Sequence, residues 1–240
     1  MENKSKISIV LPCHNPKPGW EQTLVYYYKL LLKRIPSPFD INLVIVDDGS
    51  TKGIEEEQIG FIKSQIPSLV FIKNPVNKGK GFALRSAVSQ VESDYIIYTD
   101  YDLPYEIANL INTVSLLTSN QCNIVIGIRD SSYLKSLPLK RKILSRLLCV
   151  VNYIFLPGMF VKDTQSGLKG FDRAGRELFM KTSINTYLFD TEFINMASRV
   201  KNIKMAKLKI RLRKGIGFSQ MNNKVLLREF LNYFKIIFKS

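Results

Sequence analysis

Two closely spaced carboxylates, Asp100 and Asp102, directly follow an apolar run at 95–98 that is typical of a buried strand. Because alternate residues of an extended segment point to the same side, both side chains can face one cation. Carboxylate oxygens suit Mg²⁺ or Mn²⁺, and these ions usually take phosphate oxygens of a substrate as well. The pattern therefore predicts a divalent metal site, with Asp100 and Asp102 as the protein ligands.

A second carboxylate pair, Asp47 and Asp48, follows the apolar run 41–46 and precedes Gly-Ser-Thr at 49–51. Asp, Gly and Ser form turns readily, so the segment could simply be a turn before the helix predicted near residue 54. Its place at the end of a strand favours a binding role. One aspartate would then accept a hydrogen bond from a nucleobase N–H, while the turn lets the nucleotide approach.

The segment 77–81, Asn-Lys-Gly-Lys-Gly, opens a predicted helix. It offers backbone N–H groups and lysine side chains, Lys80 among them, to a diphosphate. It lacks the Lys-Ser/Thr ending of a P-loop, and the first strand is not followed by a Gly-x-Gly-x-x-Gly turn. These differences argue against kinases, ATPases and dinucleotide-dependent enzymes.

His14 is the only histidine, which argues against a multi-histidine metal site and against a nucleophilic triad. It could line a nucleotide pocket or simply end a strand. The three cysteines, Cys13, Cys122 and Cys149, are too few and too scattered for a disulfide framework or a zinc site. We expect them to be reduced thiols in the cytosol.

These groups would be positioned by strands and helices that alternate along the first 130 residues. Apolar, β-branched runs occupy 7–11, 41–46, 69–72, 95–98 and 123–127, and a later candidate strand lies at 203–212. Helix-like stretches lie near 20–34, 54–65, 80–91 and 105–119. The alternation predicts an α/β fold, with a Rossmann-like, mostly parallel sheet and helices on both faces.

Ligands of such sheets bind beyond the carboxyl ends of the strands. The two aspartate pairs would meet there, with Arg129 at the end of the fifth strand beside them. Without a recognisable linker, we expect one domain over residues 1–240. Its nucleotide-binding half would be 1–130, and its acceptor-binding half would be 131–240.

The formal charge of +15 is the main compositional signal, and much of the excess lies beyond residue 135. Such a charge attracts polyanions, anionic lipid or phosphorylated substrates. Segments 139–160 and 225–239 alternate basic and large apolar residues, but neither has the roughly 20 uninterrupted apolar residues of a membrane span. They suit a membrane interface. Alternatively, they are core-facing helices with solvated basic faces. The N-terminus shows no signal-peptide pattern.

Together the motifs resemble the inverting GT-A glycosyltransferases of family 2. In the first half these are Leu-Pro-Cys-His-Asn at 11–15, Val-Asp-Asp-Gly-Ser-Thr at 46–51, the segment 77–81, and Thr-Asp-Tyr-Asp at 99–102. In the second half, Gly-Ile-Arg at 127–129, Asp-Thr-Gln-Ser-Gly-Leu-Lys-Gly-Phe at 163–171 and Phe-Asp-Thr-Glu at 189–192 resemble the polyprenyl-phosphate sugar synthases. Among these, the dolichyl-phosphate β-glucosyltransferases are the most similar.

The resemblance implies a role for each matching residue. Asp100 and Asp102 would hold Mg²⁺ or Mn²⁺, with Asp102 also counted among the catalytic residues. The acceptor phosphate would contact Arg129, Arg141 and Ser145, and Arg129 and Asp190 would be catalytic. The nucleotide-sugar would contact Pro12, Asn15, Asp47, Asp48, Lys80, Asp100, Tyr101 and Gln165.

We therefore expect an inverting transferase that moves a sugar, glucose from UDP-glucose, to a polyprenyl or dolichyl phosphate. It would be cytoplasmic, peripheral on the cytosolic face of an anionic membrane, and without a nucleic-acid partner. A GDP-mannose-dependent mannosyltransferase is one alternative. Another is transfer to a glycan hydroxyl, which needs a general base, Asp190 or Glu192. Asp190 could instead cap a helix. A third alternative, from charge alone, is a non-enzymatic polyanion-binding protein.

Overall fold

The computed structural model describes residues 4–35, 39–216 and 223–238, with the backbone alone at 132 and at 223–227. Within these residues seven strands form one sheet in the order β3-β2-β1-β4-β6-β5-β7. Only β6 runs antiparallel to its neighbours among them. The strands are β1 (Lys6–Cys13), β2 (Asp40–Asp48), β3 (Val70–Asn74), β4 (Tyr95–Tyr98), β5 (Ile124–Arg129), β6 (Lys169–Phe171) and β7 (Met205–Ile210).

Helices cover both faces of this sheet, which confirms the predicted α/β architecture. They are α1 (Trp20–Leu32), α2 (Glu56–Gln65), α3 (Lys80–Gln90), α4 (Ile107–Thr118), α5 (Ser131–Ser136), α6 (Leu139–Phe155), α7 (Arg173–Met180), α8 (Phe189–Ser198) and α9 (Asn223–Phe238).

Two apolar layers explain why the strands are almost continuously hydrophobic. Side chains alternate along a strand, so Ile9 of β1 packs with α1, α2 and α4, while the next residue, Val10, packs with α3, α7 and α8. Because both faces are covered, these strands lack the alternation of apolar and polar residues that a half-exposed sheet shows. Since β1, β2, β4 and β5 run in the same direction, their carboxyl ends lie along one edge of the sheet.

One strand differs from the prediction in type. The segment at 169–171, expected only as part of a motif, forms β6 and lies between β4 and β5. Lysine and glycine are both uncommon in strands, so this three-residue strand has no recognisable β pattern in the sequence. Gly170 suits this position, because a Cβ atom there would lie only 2.8 Å from Leu117 Cδ1 and 3.0 Å from Thr113 Cγ2 on α4, and these side chains would have to shift.

In the described part of the chain, no helix has both the length and the apolar character needed to cross a bilayer.

Candidate active site

Asp47 is the last residue but one of β2, and it is buried, with 1% of its surface exposed. Its Oδ1 accepts a hydrogen bond from the backbone N–H of Ser50 at 2.8 Å, so the predicted turn is present. Its Oδ2 is also buried, and it has no hydrogen-bond partner among the described residues. Leaving a buried acceptor unbonded costs about 1–3 kcal/mol, so Asp47 is ready to accept a donor from a ligand.

Asn15 connects the ends of β1 and β2. Its backbone N–H donates to Ser50 Oγ at 2.8 Å, and its Oδ1 accepts from the backbone of Thr51 and Lys52. Its φ of 47° lies in the left-handed region, which asparagine tolerates. Asn15 therefore shapes the turn beside Asp47, while Pro12 lies half-buried at the end of β1.

Asp48 points away from Asp47 and has a different environment. Its carboxylate accepts from the backbone N–H of Lys78 at 3.2 Å and of Gly79 at 2.7 Å, and from Asn74 Nδ2 at 3.3 Å. In this structure Asp48 holds the 77–79 loop against β2.

The backbone donors expected for a diphosphate in the 77–81 segment are largely taken by the protein itself. Besides the two donated to Asp48, Gly81 N–H and Phe82 N–H both donate to the carbonyl oxygen of Asn185. What the segment presents is the side chain of Lys80, whose Nζ lies 2.6 Å from Asp100 Oδ1. Burial works against this charge, but Asp100 and Asp190 outweigh it and raise the pKa of Lys80.

The carboxylates of Asp100 and Asp102 follow β4 as expected. Burial, and then the nearby charge of Asp100, raises the pKa of Asp102. Within the described residues, no group of three or more His, Cys, Asp or Glu side chains could hold a metal. Asp100 and Asp102 are therefore a pair of carboxylates without a third such ligand grouped beside them in the part of the chain that the structure describes.

Arg213, three residues beyond β7, fixes the turn that carries Asp102. Its Nη2 donates to the carbonyl oxygen of Asp102 at 2.7 Å, and its Nε donates to that of Leu103 at 2.9 Å. Its guanidinium lies over the ring of Tyr27, 4.2 Å from the centroid. These bonds support Leu103 in a left-handed conformation with φ 44°. Arg213 lies outside every motif of the sequence, so no local pattern marks it as part of the site.

Tyr101 lies between the two carboxylates and turns toward α1. Its ring meets Trp20 edge-on, with centroids 6.1 Å apart. Gly167, two residues before β6, lies so close to Asp100 that a Cβ atom would overlap Asp100 Oδ2. The N–H of Gly167 donates to Tyr105 Oη at 2.6 Å, and Gln165 lies half-buried two residues away. The 163–167 loop thus borders the carboxylates.

The same loop reaches Arg129 at the end of β5. Arg129 Nε donates to Asp163 Oδ2 at 2.8 Å, its Nη2 also contacts Asp163, and Nη2 donates to Ser145 Oγ on α6. Burial opposes the charge, but the bonded carboxylate of Asp163 outweighs it and raises the pKa of Arg129. The structure therefore brings the predicted Arg129 and Ser145 together.

Arg129 and Ser145 lie in a cleft of about 780 Å³. Other basic side chains at this cleft are Lys142, Arg146, Lys162 and Lys207, and one carboxylate, Asp163, lines it too. Of the described residues of α6, Lys142 and Arg146 line the cleft rather than Arg141, which lies one turn before Ser145. Apolar walls come from Ile128, Leu134, Val150, Met159, Phe160 and Val161.

Asp190 lies in the first turn of α8, but it does not cap the helix, whose N-cap is Leu188. Its Oδ1 accepts from Tyr98 Oη at 2.5 Å and lies 3.0 Å from Lys169 Nζ. Glu192, the other candidate base, accepts from Ser183 N–H, Ser183 Oγ and Ile184 N–H. Both carboxylates therefore have partners inside the protein.

Many apolar side chains of α6 and α9 face solvent. Tyr233 Oη of α9 donates to Asn152 Oδ1 of α6 at 3.0 Å, which joins the two helices. Seven apolar side chains of α6 are exposed, while Leu148 and Val151 pack against the core, so this helix has both a core-facing side and a large exposed apolar side. Residue 239 and the side chains of 225–227 in the predicted segment lie outside the described residues. The exposed side chains are Leu139, Ile143, Leu147, Val150, Tyr153, Ile154, Phe155, Phe230, Leu231, Phe234 and Phe238.

The chain is similar in sequence to known proteins. A family model for glycosyl transferase family 2 matches residues 8–188. Dolichyl-phosphate β-glucosyltransferase of Trichomonas vaginalis is 30% identical over 220 residues, which cover 85% of this chain and 64% of that protein. The chain thus spans slightly less than two thirds of that relative's length.

Solved structures show a similar fold. Mannosyl-3-phosphoglycerate synthase of Rubrobacter xylanophilus aligns with a TM-score of 0.68 at 17% identity, covering 97% of this chain and 73% of its own. Glucosyl-3-phosphoglycerate synthase of Mycobacterium tuberculosis, solved with Mn²⁺, UDP and glucosyl-3-phosphoglycerate, aligns with a TM-score of 0.60 at 17% identity, covering 92% and 75%. These likenesses confirm the GT-A fold.

Proposed function

The chain belongs to glycosyl transferase family 2, and from this premise we propose that it transfers glucose from UDP-glucose to a polyprenyl phosphate. The observation that carries the proposal is the cleft at Arg129. A buried arginine and Ser145 supply donors at its inner end, while its walls are apolar and basic. An acceptor with an anionic head and a hydrocarbon chain matches both features. The name of the Trichomonas relative supports this class of acceptor.

The donor would bind across the ends of β1, β2 and β4. The unpartnered Oδ2 of Asp47 would accept the N–H of a pyrimidine base, with Asn15 and Pro12 shaping the pocket around it. Lys80 would pair with the diphosphate, whose oxygens would replace Asp100 as its main partner. Asp48 would act indirectly, because its oxygens hold the 77–79 loop. The UDP in the M. tuberculosis structure supports the choice of base.

Asp100 and Asp102 would hold a divalent cation, Mg²⁺ or Mn²⁺. Such an ion neutralises charge that develops on a leaving diphosphate. Arg213 supports this role, since it fixes the backbone of Asp102 from outside the carboxylate cluster. Gly167 supports it as well, because its missing side chain leaves room for the Asp100 carboxylate.

The nucleophile would be an oxygen of the acceptor phosphate, which is already ionised at neutral pH. Arg129 and Ser145 would hold that phosphate, and no protein base would need to remove a proton. The engagement of Asp190 by Tyr98 and Lys169, and of Glu192 by residues 183–184, favours this mechanism over transfer to a hydroxyl. A hydroxyl acceptor would require one of these carboxylates to be available as a base.

The exposed apolar face of α6 and α9 would rest on the cytosolic surface of an anionic membrane. The face is continuous with the cleft, because Val150 belongs to both. Lys142 and Arg146 lie beside it on α6 and would contact lipid phosphates. A lipid acceptor could then enter the cleft without leaving the bilayer.

The proposed reaction is tested with purified protein, UDP-glucose labelled in the sugar, and two acceptors of equal chain length, a polyprenyl phosphate and the corresponding polyprenol. We expect labelled lipid only from the phosphate. Arg173→Ala, which breaks an exposed ion pair with Asp94, serves as the control for protein quality beside Arg129→Ala. Equal transfer to the polyprenol, or transfer to a soluble glycan instead, would replace the proposal with a hydroxyl-directed mechanism.

A further inference from the structure

Lys169 is a charged residue in the centre of the sheet, with 0% of its surface exposed. An ammonium group has three N–H donors, and here each has an acceptor. Nζ lies 3.1 Å from the carbonyl oxygen of Thr164, 2.5 Å from that of Ser166 and 3.0 Å from Asp190 Oδ1. The charge is therefore completely satisfied inside the protein.

Stability alone gives little reason to keep a lysine at this position. Burial lowers the pKa of Lys169, and Asp190 only partly opposes that effect. Replacing a buried ion pair with apolar groups of similar volume is often neutral or stabilising. What Lys169 adds is geometric, because it holds two carbonyl groups of one loop, those of Thr164 and Ser166, at fixed positions.

The loop held by Lys169 contacts both halves of the proposed reaction. At one end, Asp163 binds Arg129 in the acceptor cleft. At the other end, Gly167 packs against the Asp100 carboxylate and donates to Tyr105. The two carbonyl groups that Lys169 binds, at 164 and 166, lie between these contacts. A shift of this loop would change the position of Arg129 relative to Asp100.

We infer that Lys169 is a positioning residue, which sets the distance between the donor carboxylates and the acceptor arginine by fixing the 163–167 loop. Asp190 acts as its counter-ion, held in turn by Tyr98 at the end of β4. Neither residue has to touch the substrate. The kinetic consequence rests on the proposed function, whereas the placement of the loop does not.

The first measurement is kinetic and uses Lys169→Met, with Lys181→Met on the exposed end of α7 as the control. We expect kcat for transfer to the polyprenyl phosphate to fall about 100-fold, the loss that a misplacement near 1 Å can cause. KM for UDP-glucose should change by less than about twofold, because ground-state donor binding is kept. Lys169→Arg keeps a cation with several donors, so its kcat should be at least about tenfold higher than that of Lys169→Met.

The second measurement separates position from stability. Lys169→Met leaves Asp190 buried without its cation, so the variant should melt at a lower temperature. The double variant Lys169→Met with Asp190→Asn removes that charge and should regain thermal stability. Its kcat should stay low, because nothing binds the two loop carbonyls. If kcat recovers together with the melting temperature, Lys169 is merely structural and the inference is wrong.

The third measurement does not depend on the reaction. Cys149 lies in the cleft with Arg129 and Asp163, whereas Cys13 and Cys122 are buried elsewhere and serve as internal controls. Displacing the loop should change the rate at which maleimide alkylates Cys149 in the double variant several-fold, read by mass spectrometry, with the rate in Lys181→Met unchanged. An unchanged Cys149 rate with wild-type kcat would overturn the positioning role. Failure of the wild-type protein to glucosylate polyprenyl phosphate would instead overturn the proposed function, and the alkylation rates would still decide the role of Lys169.

Discussion

Replacing Arg129 with alanine removes the cation at the inner end of the cleft. Its side chain is 5% exposed, and its Nε and Nη2 both donate in the free protein. Two charge-assisted hydrogen bonds to a phosphate are worth about 1.5–3 kcal/mol each, or about 3–6 kcal/mol together. At about 1.4 kcal/mol per factor of ten, kcat/KM for polyprenyl phosphate should fall between about 100-fold and about 10,000-fold.

Nucleotide binding should survive this change, because the two sites lie far apart along the sheet. Asp47 lies one residue before the end of β2 and Arg129 ends β5, and three strands, β1, β4 and β6, lie between them. Four strand spacings of about 4.8 Å separate these ends by roughly 19 Å. That distance exceeds the screening length of about 10 Å at 0.1 M salt. We therefore expect the Kd for UDP to be unchanged.

The fold should survive as well. Loss of Arg129 leaves Asp163 without its main partner, but that carboxylate is partly exposed and can be hydrated. We expect a loss of about 1–3 kcal/mol in the free energy of unfolding, which lowers Tm by about 2–4 °C for each kcal/mol.

The assay varies polyprenyl phosphate at saturating UDP-glucose, and calorimetry measures UDP binding by the same samples. Arg173→Ala removes an equal charge from a surface ion pair in which the arginine side chain is 81% exposed, and it should behave like the wild type. A kcat/KM for Arg129→Ala within about tenfold of the wild type would refute the assignment, since even one such bond is worth more. Loss of UDP binding would refute the separation of the two sites.

Four further outcomes are expected. Chelation by EDTA should abolish transfer, Mg²⁺ or Mn²⁺ should restore it, and Asp102→Asn should lower kcat by orders of magnitude; full activity in chelator would contradict the metal site. Calorimetry should show tighter binding of UDP than of GDP and weaker UDP binding by Asp47→Asn, whereas tighter GDP binding would indicate a mannose-type donor. The protein should float with anionic liposomes at low salt and detach at high salt, because each basic residue near the surface contributes roughly 1 kcal/mol to binding. The double variant Phe230→Ser with Phe234→Ser should weaken flotation. Tyr26→Ser, which changes an exposed aromatic residue on α1, should not. Burial, followed by the charge of Asp47, raises the pKa of Cys13. Its thiol should therefore stay protonated and resist iodoacetamide at about pH 9.5, above the usual thiol pKa, until the protein unfolds. Rapid labelling of the native protein would show that the end of β1 is open.

The strand ends could be predicted from sequence because they follow from local patterns. Asp47, Asp100 and Arg129 each come directly after an apolar run, and parallel strands place those positions along one edge. Both Asp47 and Asp48 were expected at the nucleotide-sugar. Adjacent residues on a strand point to opposite faces, so different surroundings for the two could be predicted. Which of them would keep an oxygen without a partner could not, because that depends on the loop at 77–79.

The contacts that complete the site depend on tertiary structure and leave no local signal. Arg213 binds the backbone of Asp102 across 111 positions of the chain. Lys169 lies 3.0 Å from Asp190 only because β6 inserts beside β4 and under α8. Lys169 by itself indicated a buried ion pair, because a charged residue in a buried motif needs a partner. Which of the twenty acidic residues supplies it could not be read from spacing.

The insertion of β6 also has a consequence for the order in which the chain can fold. Within the described residues, β6 is the strand that joins the block β3-β2-β1-β4 to the pair β5–β7. On a ribosome, residues up to 130 could form the first block, but β5 would have no hydrogen-bonded neighbour until residues 169–171 emerged. The long-range pairing of β4 with β6 should therefore be a late and slow step. A nascent chain paused before residue 169 would expose β4 as an open edge, a natural binding site for a chaperone.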